Sequence, residues 1–281
     1  MAKEKNKIVG RQIEVEALKK AVSLHRNVLI EGPVGVGKTF LVREALNALK
    51  LGFERVDGDT RYTENKLTGW FDPPIVLKKG YAASAFIEGP LVRAMKEGKI
   101  LFINELNRMP ESVQNILLPA MDERQIVVPK LGMIRAKSGF LVLATQNPRE
   151  FTATHSLSEA LLDRFEMIPL TYQSKEEEFE ILSAASQGKT KKEILMRVLE
   201  IVRATRQHPS IKRGASIRSA LSILHLIEGG MELDSACLMA LPTRIEMISS
   251  DDDPFEIIRD LLSNSSFPEL KEKKSLQKSK T

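Results

Sequence analysis

The sequence predicts an α/β fold: a parallel sheet between helices, followed by a smaller domain made of helices alone. Three observations carry that expectation. Five short apolar runs alternate with longer amphipathic stretches, a Gly-Lys-Thr turn stands directly after the first run, and beyond Thr171 the apolar residues fall into helical stripes. The runs are Val28-Leu-Ile30, Phe53-Glu-Arg-Val56, Ile100-Leu-Phe-Ile103, Phe140-Leu-Val-Leu-Ala144 and Met167-Ile-Pro-Leu170. Short unbroken runs of Val, Ile, Leu and Phe suit strands covered on both faces, which is the condition of a parallel sheet.

After the joint at Thr171 to Ser174 the spacing changes. Ile194, Leu195, Val198, Ile201 and Val202 lie on one stripe of a helix, and Ile217, Ala220, Leu221, Leu224 and Ile227 repeat it. Asp253 and Pro254 read as the cap and first residue of a last helix that buries Ile257, Ile258, Leu261 and Leu262. The organisation expected is therefore 1–172 for the sheet domain, 173–263 for the helical domain and 264–281 for a basic tail. That tail is read as a solvated chain end, with an interaction arm as the alternative.

Composition removes several classes. In 281 residues, 42% hydrophobic and 28% charged content is the balance of a globular chain, which excludes collagen and a disulfide scaffold. No run reaches the roughly 18 apolar residues of a membrane span. One cysteine, Cys237, forms no intrachain pair, and Met1 to Lys7 lacks the pattern of a signal peptide, so a cytoplasmic location is expected. The net charge of +5 owes part of its excess to the tail, and aromatic residues make up 5%. Without a basic stripe carrying interleaved aromatics, a nucleic-acid motor is the less attractive reading. His25, His155, His208 and His225 lack metal-ligand spacing. Cys237, Met231, Met239 and Met247 read as packing of the helical domain.

The turn Gly32-Pro33-Val34-Gly35-Val36-Gly37-Lys38-Thr39 matches G-x-x-x-x-G-K-[ST] and lies between a strand and the helix Phe40 to Leu49. Gly35 and Gly37 permit a backbone that aims successive N–H groups inward, and the helix N-terminus adds its dipole. A triphosphate is the ligand this arrangement serves, with Lys38 on the β- and γ-phosphates and the Thr39 hydroxyl on Mg²⁺. Ile100 to Ile103 ends in Asn104-Glu105, at the strand end where a parallel sheet binds its ligand. Glu105 is the candidate to polarise a water for attack on the γ-phosphate, with a helix-capping Glu as the alternative.

Together with the phosphate loop, Asn104-Glu-Leu-Asn-Arg108, Leu117-Leu-Pro-Ala-Met-Asp-Glu123, Ala144-Thr-Gln-Asn-Pro148, Leu161-Leu-Asp-Arg-Phe165 and Gly214-Ala-Ser-Ile-Arg218 resemble a MoxR-type AAA+ ATPase over residues 8 to 250. The resemblance implies a P-loop core with strand order 5-1-4-3-2, a helical lid, ATP held between subunits of a homo-oligomeric, hexameric ring, and chaperone-like remodelling of a client protein that carries a von Willebrand factor A domain in many cases. It assigns sensor 1 to Asn147, the arginine finger to Arg164 with Arg149 as rival, sensor 2 to Arg218, and the adenine pocket to Val9, Gly10 and Arg11. Ile217 stands where the family commonly has proline.

Two inserted elements also fit the resemblance, Leu67 to Gly80 with Trp70 and Phe71, and a hairpin from Gln125 to Ser138. The two aromatics either face a pore or partner, or form a satellite cluster under a loop. One position departs from the family: Asn104 stands where an aspartate is normal. Asparagine keeps the shape and one acceptor oxygen but removes the charge that helps hold Mg²⁺. The alternative to an active ATPase is therefore a hydrolysis-poor, nucleotide-gated assembly module. On sequence alone, Asn104→Asp separates the two, since a large gain in turnover would show that the native chain is held back at the metal site.

Overall fold

The computed structural model describes residues 8–147 and 156–263. Met1 to Lys7, Pro148, Arg149, His155 and the tail 264–281 lie outside the described residues. The chain divides into two compact units between Tyr172 and Gln173.

The first unit is built on five parallel strands: β1 (Val28–Glu31), β2 (Phe53–Asp57), β3 (Ile100–Asn104), β4 (Leu141–Gln146) and β5 (Glu166–Pro169). Their spatial order is β2-β3-β4-β1-β5, which reads 5-1-4-3-2 from the other edge. Alternation of side chains makes two cores. Leu29, Leu101, Ile103, Val142 and Ala144 pack on one face with Leu91 and Met95 of the helix α3 (Pro90–Glu97). Val28, Ile30, Ile100, Phe102, Leu141 and Leu143 pack on the other with Leu18 of α1 (Gln12–Ser23) and Leu41 and Leu46 of α2 (Lys38–Leu49). In the three central strands, β3, β4 and β1, the continuous apolar runs follow from this double burial. The edge strands correct the expectation of burial on both faces: β2 carries Glu54 and exposed Arg55, and β5 exposes Glu166 and Met167. β4 runs two residues beyond the apolar run, to Thr145 and Gln146, both buried.

Two antiparallel hairpins are attached to the first unit. Gln125–Val128 pairs with Gly132–Arg135, as the sequence indicates. Gly69–Phe71 pairs with Phe86–Glu88, and the latter strand is too short and mixed to stand out by pattern. Asp72 caps the helix Pro73–Lys79 between them, with two prolines in its first turn.

The second unit holds α4 (Lys175–Ser186), α5 (Lys192–Thr205), α6 (Ile217–Glu228), α7 (Leu233–Ala240) and α8 (Pro254–Ser263). It is not made of helices alone: Ile211–Arg213 pairs antiparallel with Glu246–Met247, strands too short to show as a pattern along the chain. α4 opens with a reciprocal cap: the Ser174 hydroxyl accepts from Glu177 N while the Glu177 carboxylate accepts from Ser174 N. The predicted stripes meet in one core of Leu182, Leu195, Val198, Val202, Ala220, Leu224, Cys237 and Ile258. Burial pushes the Cys237 thiol up to about 12, so it behaves as a small apolar side chain. Met231 and Met247 pack against this core, but Met239 is exposed. Met239 stands at the margin of the α7 face that buries Ala236, Cys237 and Ala240, and its side chain is exposed, which corrects its assignment to packing.

Candidate functional site

The site lies at the C-terminal ends of β1, β3 and β4, where strand order reverses and an open parallel sheet leaves a crevice. Gly35 and Gly37 adopt φ of 82° and 95°, the left-handed region that glycine enters without strain, and α2 begins at the next residue. The helix starts two residues earlier than its apolar pattern suggests, so Lys38 and Thr39 belong to its first turn. Lys38 Nζ donates to the carbonyls of Gly32 and Pro33 at 2.6 and 2.9 Å, which draws the ammonium over the loop.

Thr39 meets the end of β3. Its hydroxyl donates to Asn104 Oδ1 at 2.9 Å, and the Thr145 hydroxyl donates to the same oxygen at 3.0 Å. Asn104 Nδ2 faces the other way and donates to Asp57 Oδ1 at 3.0 Å. Thr145 has a second task, because its oxygen accepts from Glu105 N at 3.0 Å. That bond fixes Glu105 where β3 stops, in a left-handed conformation with φ 59° and ψ 52°. A non-glycine residue held there stores strain of a kind concentrated at functional sites. Gly58 closes the neighbouring turn: its N–H donates to Asn104 O at 2.7 Å, and a Cβ on it would come within 2.1 Å of Glu105 O.

The Glu105 carboxylate accepts from Arg108 Nη1 at 3.0 Å, three residues along the chain. Asn147 is buried, and its carbonyl accepts from Asn107 Nδ2 at 3.1 Å. Arg164 projects from the end of the helix Glu159–Leu162. Its Nε and Nη2 donate to Asp122 Oδ2 at 2.7 and 2.6 Å, and Nη1 donates to the carbonyl of Ala160. The Asp122 carboxylate holds the Arg164 guanidinium above its ordinary pKa through this hydrogen bond.

Gly10 and Arg11 form the left-handed turn before α1, and Arg11 reaches Thr171 O and Glu14. Val9 precedes that turn. Arg218, in the second unit, is exposed at the second position of α6.

The structure brings Thr39, Asn104 and Glu105 together around the strand ends. It adds Asp57, Thr145 and Arg108 there, and Asp122 beside Arg164, none of which carries a role in the sequence reading. Asp57 is the register partner of Asn104 across the β2–β3 pair, a relation invisible along the chain because 47 residues separate the two. Of the inserted aromatics, Phe71 joins Tyr81 and Phe86 in an edge-to-face cluster with centroids 5.2 and 5.1 Å away, whereas Trp70 is exposed. Phe71 thus fits the reading of a satellite cluster.

Oxygen groups gather at the strand ends: the Thr39 hydroxyl meets the Asn104 side-chain oxygen, and the Asp57 carboxylate lies on the far side of Asn104. Hard oxygen ligands of this type fit Mg²⁺. No group of three or more His, Cys, Asp and Glu suited to hold a metal ion occurs among the described residues. No helix among the described residues is long and apolar enough to cross a membrane.

Residues 27–165 match the family model described as AAA domain (dynein-related subfamily). An uncharacterized protein of Staphylococcus epidermidis is 35% identical over 163 residues, which cover 57% of this chain and 61% of the relative. The chain therefore spans less than two thirds of that relative's length. An uncharacterized protein of Staphylococcus aureus is 31% identical over 209 residues, covering 73% of this chain and 79% of its own. Among solved structures, NtrX from Brucella abortus in complex with ADP shares the fold with a TM-score of 0.57 at 18% identity, over 90% of this chain and 61% of that one. With strand ends, loop and family model in agreement, the chain belongs to the dynein-related subfamily of AAA domain proteins.

Proposed function

We propose that the protein is a MoxR-like ATPase that binds ATP, hydrolyses it within a ring of identical subunits, and uses the cycle to remodel or activate a client protein. The single observation that supports hydrolysis is the hydrogen-bonded line Thr39–Asn104–Thr145–Glu105, which ties the phosphate loop to the carboxylate at the strand end. Backbone amides of Gly32 to Thr39 receive the phosphates, and Lys38 exchanges its loop carbonyls for phosphate oxygens. Thr39 and Asn104 would hold Mg²⁺, which when bound neutralises charge developing on the phosphates. Glu105 orients the attacking water and takes its proton, once the carboxylate leaves Arg108. Asn147 acts as sensor 1, Arg164 as the finger lent to an adjacent copy, and Arg218 as sensor 2; Val9 and Gly10 border the adenine. A client with a von Willebrand factor A domain is the partner the resemblance favours.

A second reading rests on two observations. Asn104 lacks a carboxylate, and Glu105 is paired with Arg108 at 3.0 Å, so the base is occupied. A protein held in this way would bind ATP and assemble without appreciable turnover.

Phosphate release by the purified chain with saturating ATP and Mg²⁺ separates the two. The ATPase reading expects steady turnover that falls to background in Glu105→Gln, with ATP binding retained, and loss of binding in Lys38→Ala. Wild-type turnover equal to that of Glu105→Gln in an assembled particle would reject hydrolysis and leave the assembly module. Light scattering with and without ATP and Mg²⁺ tests the ring: a mass that stays at 31.5 kDa under all conditions removes the shared-site mechanism.

A further inference from the structure

We infer that Asp57 is a positioning residue for the nucleotide site: it turns the Asn104 amide so that its oxygen faces Thr39, and it carries beside the site the charge that Asn104 lacks. The inference rests on the ATPase reading above and adds a residue that the reading does not contain.

The argument begins with topology. β2 and β3 are parallel and in register, so Asp57 and Asn104 end their strands side by side. Adjacent strands lie about 5 Å apart, and two short polar side chains at such a pair are within hydrogen-bond reach. Asp57 Oδ1 is 3.0 Å from Asn104 Nδ2. An ionised carboxylate accepts hydrogen bonds and donates none, so it selects the NH₂ end of the amide. Because the amide is planar, choosing the neighbour of Nδ2 also chooses the direction of Oδ1. That oxygen points to Thr39 and Thr145 and accepts from both hydroxyls.

Without the carboxylate, the amide has no reason to prefer this orientation. A hydroxyl can accept as well as donate, so the flipped amide also satisfies Thr39 and Thr145, but it then turns an NH₂ group toward the side where a cation needs oxygen. Arg55, two residues back on the same face of β2, fixes Asp57 with Nη2 at 2.7 Å from Oδ1. The direct attraction of Asp57 for a cation is the smaller of its two effects, because the side chain is largely exposed and neutralised in part by Arg55. Orientation is the larger.

This changes what Asn104→Asp does. That substitution alone sets two carboxylates about 3 Å apart, where they resist simultaneous ionisation. A gain in Asn104→Asp is therefore absent unless Asp57 is neutralised at the same time. The reciprocal exchange, Asp57→Asn with Asn104→Asp, keeps one carboxylate and one amide and lets the new Asn donate to the new Asp.

The experiment measures binding of a fluorescent ATP analogue by the full chain as Mg²⁺ is titrated, with an EDTA reference. Asp57→Asn is close in shape and sits at an exposed position, and Asp57→Ala in parallel removes the acceptor altogether. Both singles are expected to raise the Mg²⁺ concentration for half-maximal effect by about 10-fold, the lower end for groups that orient metal ligands, with affinity in EDTA unchanged. Asn104→Asp alone is expected not to improve on the wild type, and the double exchange to restore wild-type Mg²⁺ dependence or better it. A merely structural role would not be rescued by the exchange. Unchanged Mg²⁺ dependence in both singles, or a double that shows only the sum of the two single effects, overturns the inference. Absence of nucleotide binding by the wild type would instead overturn the ATPase reading itself.

Discussion

Arg164→Ala, assembled in the presence of ATP and Mg²⁺, is expected to lose turnover by about 10³-fold or more while each protomer still binds ATP, since a guanidinium delivered to the transferring phosphoryl group contributes on that scale. The side chain is already braced: Asp122 holds two of its nitrogens and the Ala160 carbonyl the third. A braced guanidinium gives up little conformational freedom when it meets an anion, which is the benefit of pre-organisation. Mixing makes the test specific. Arg164→Ala subunits have an intact loop but no finger, and Lys38→Ala subunits have a finger but no loop. A mixture more active than either variant alone is expected if the arginine serves its neighbour. Full turnover in Arg164→Ala, with loss in Arg149→Ala, would transfer the role to the rival.

The second large effect is on stability. Glu178 is 1% exposed and lies between two guanidiniums, with Arg203 Nη1 at 2.7 Å and Arg206 Nη2 and Nη1 at 2.7 and 3.1 Å. Arg206 also donates Nε to Ala215 O at 2.7 Å, and Gly214 lies so close that a Cβ on it would sit 2.5 Å from Arg206 Cα. Glu178→Leu leaves two cations without their buried anion. Breaking such a pair costs about 3 to 5 kcal/mol, and the partial exposure of Arg203 argues for the lower value, about 3 kcal/mol. In a unit of this size that corresponds to a fall in melting temperature on the order of 10 °C. Calorimetry of the chain would show it, with Glu178→Gln between wild type and Glu178→Leu. A shift within about 2 °C for Glu178→Leu would mean that the ions are solvated and the bridge contributes little. The same guanidinium fixes the turn that leads into Arg218, so the lesion is expected to reach the proposed sensor as well.

What the sequence disclosed follows from distance along the chain. The phosphate loop is legible because its glycines, lysine and threonine act through backbone geometry within eight consecutive residues. The buried strands are legible because covering both faces leaves an uninterrupted apolar run. The helical unit announces itself by the spacing of Leu195, Val198 and Val202. Asp57 was missed because its meaning comes from lateral register with Asn104, and nothing near residue 57 signals which strand will lie beside it. Thr145 shows no task along the chain, since one hydroxyl that serves Asn104 and the Glu105 amide together is a three-dimensional relation. Glu178 stands in the run Lys175-Glu-Glu-Glu178, which has the composition of a solvated helix start; only its position among the helices turns it inward. Met239 is the converse case, an apolar residue left exposed at the margin of a short helix.

The twist at Glu105 has a consequence for how the protein ages under mutation. In an ordinary helix interior, exchanging a residue for glycine weakens the fold by about 1 kcal/mol. Here the backbone already occupies a conformation that glycine adopts freely, so Glu105→Gly is expected to leave the melting temperature nearly unchanged while phosphate release disappears. Decay of activity at this position would leave no trace in solubility or yield, and a population of chains could drift into well-folded idlers.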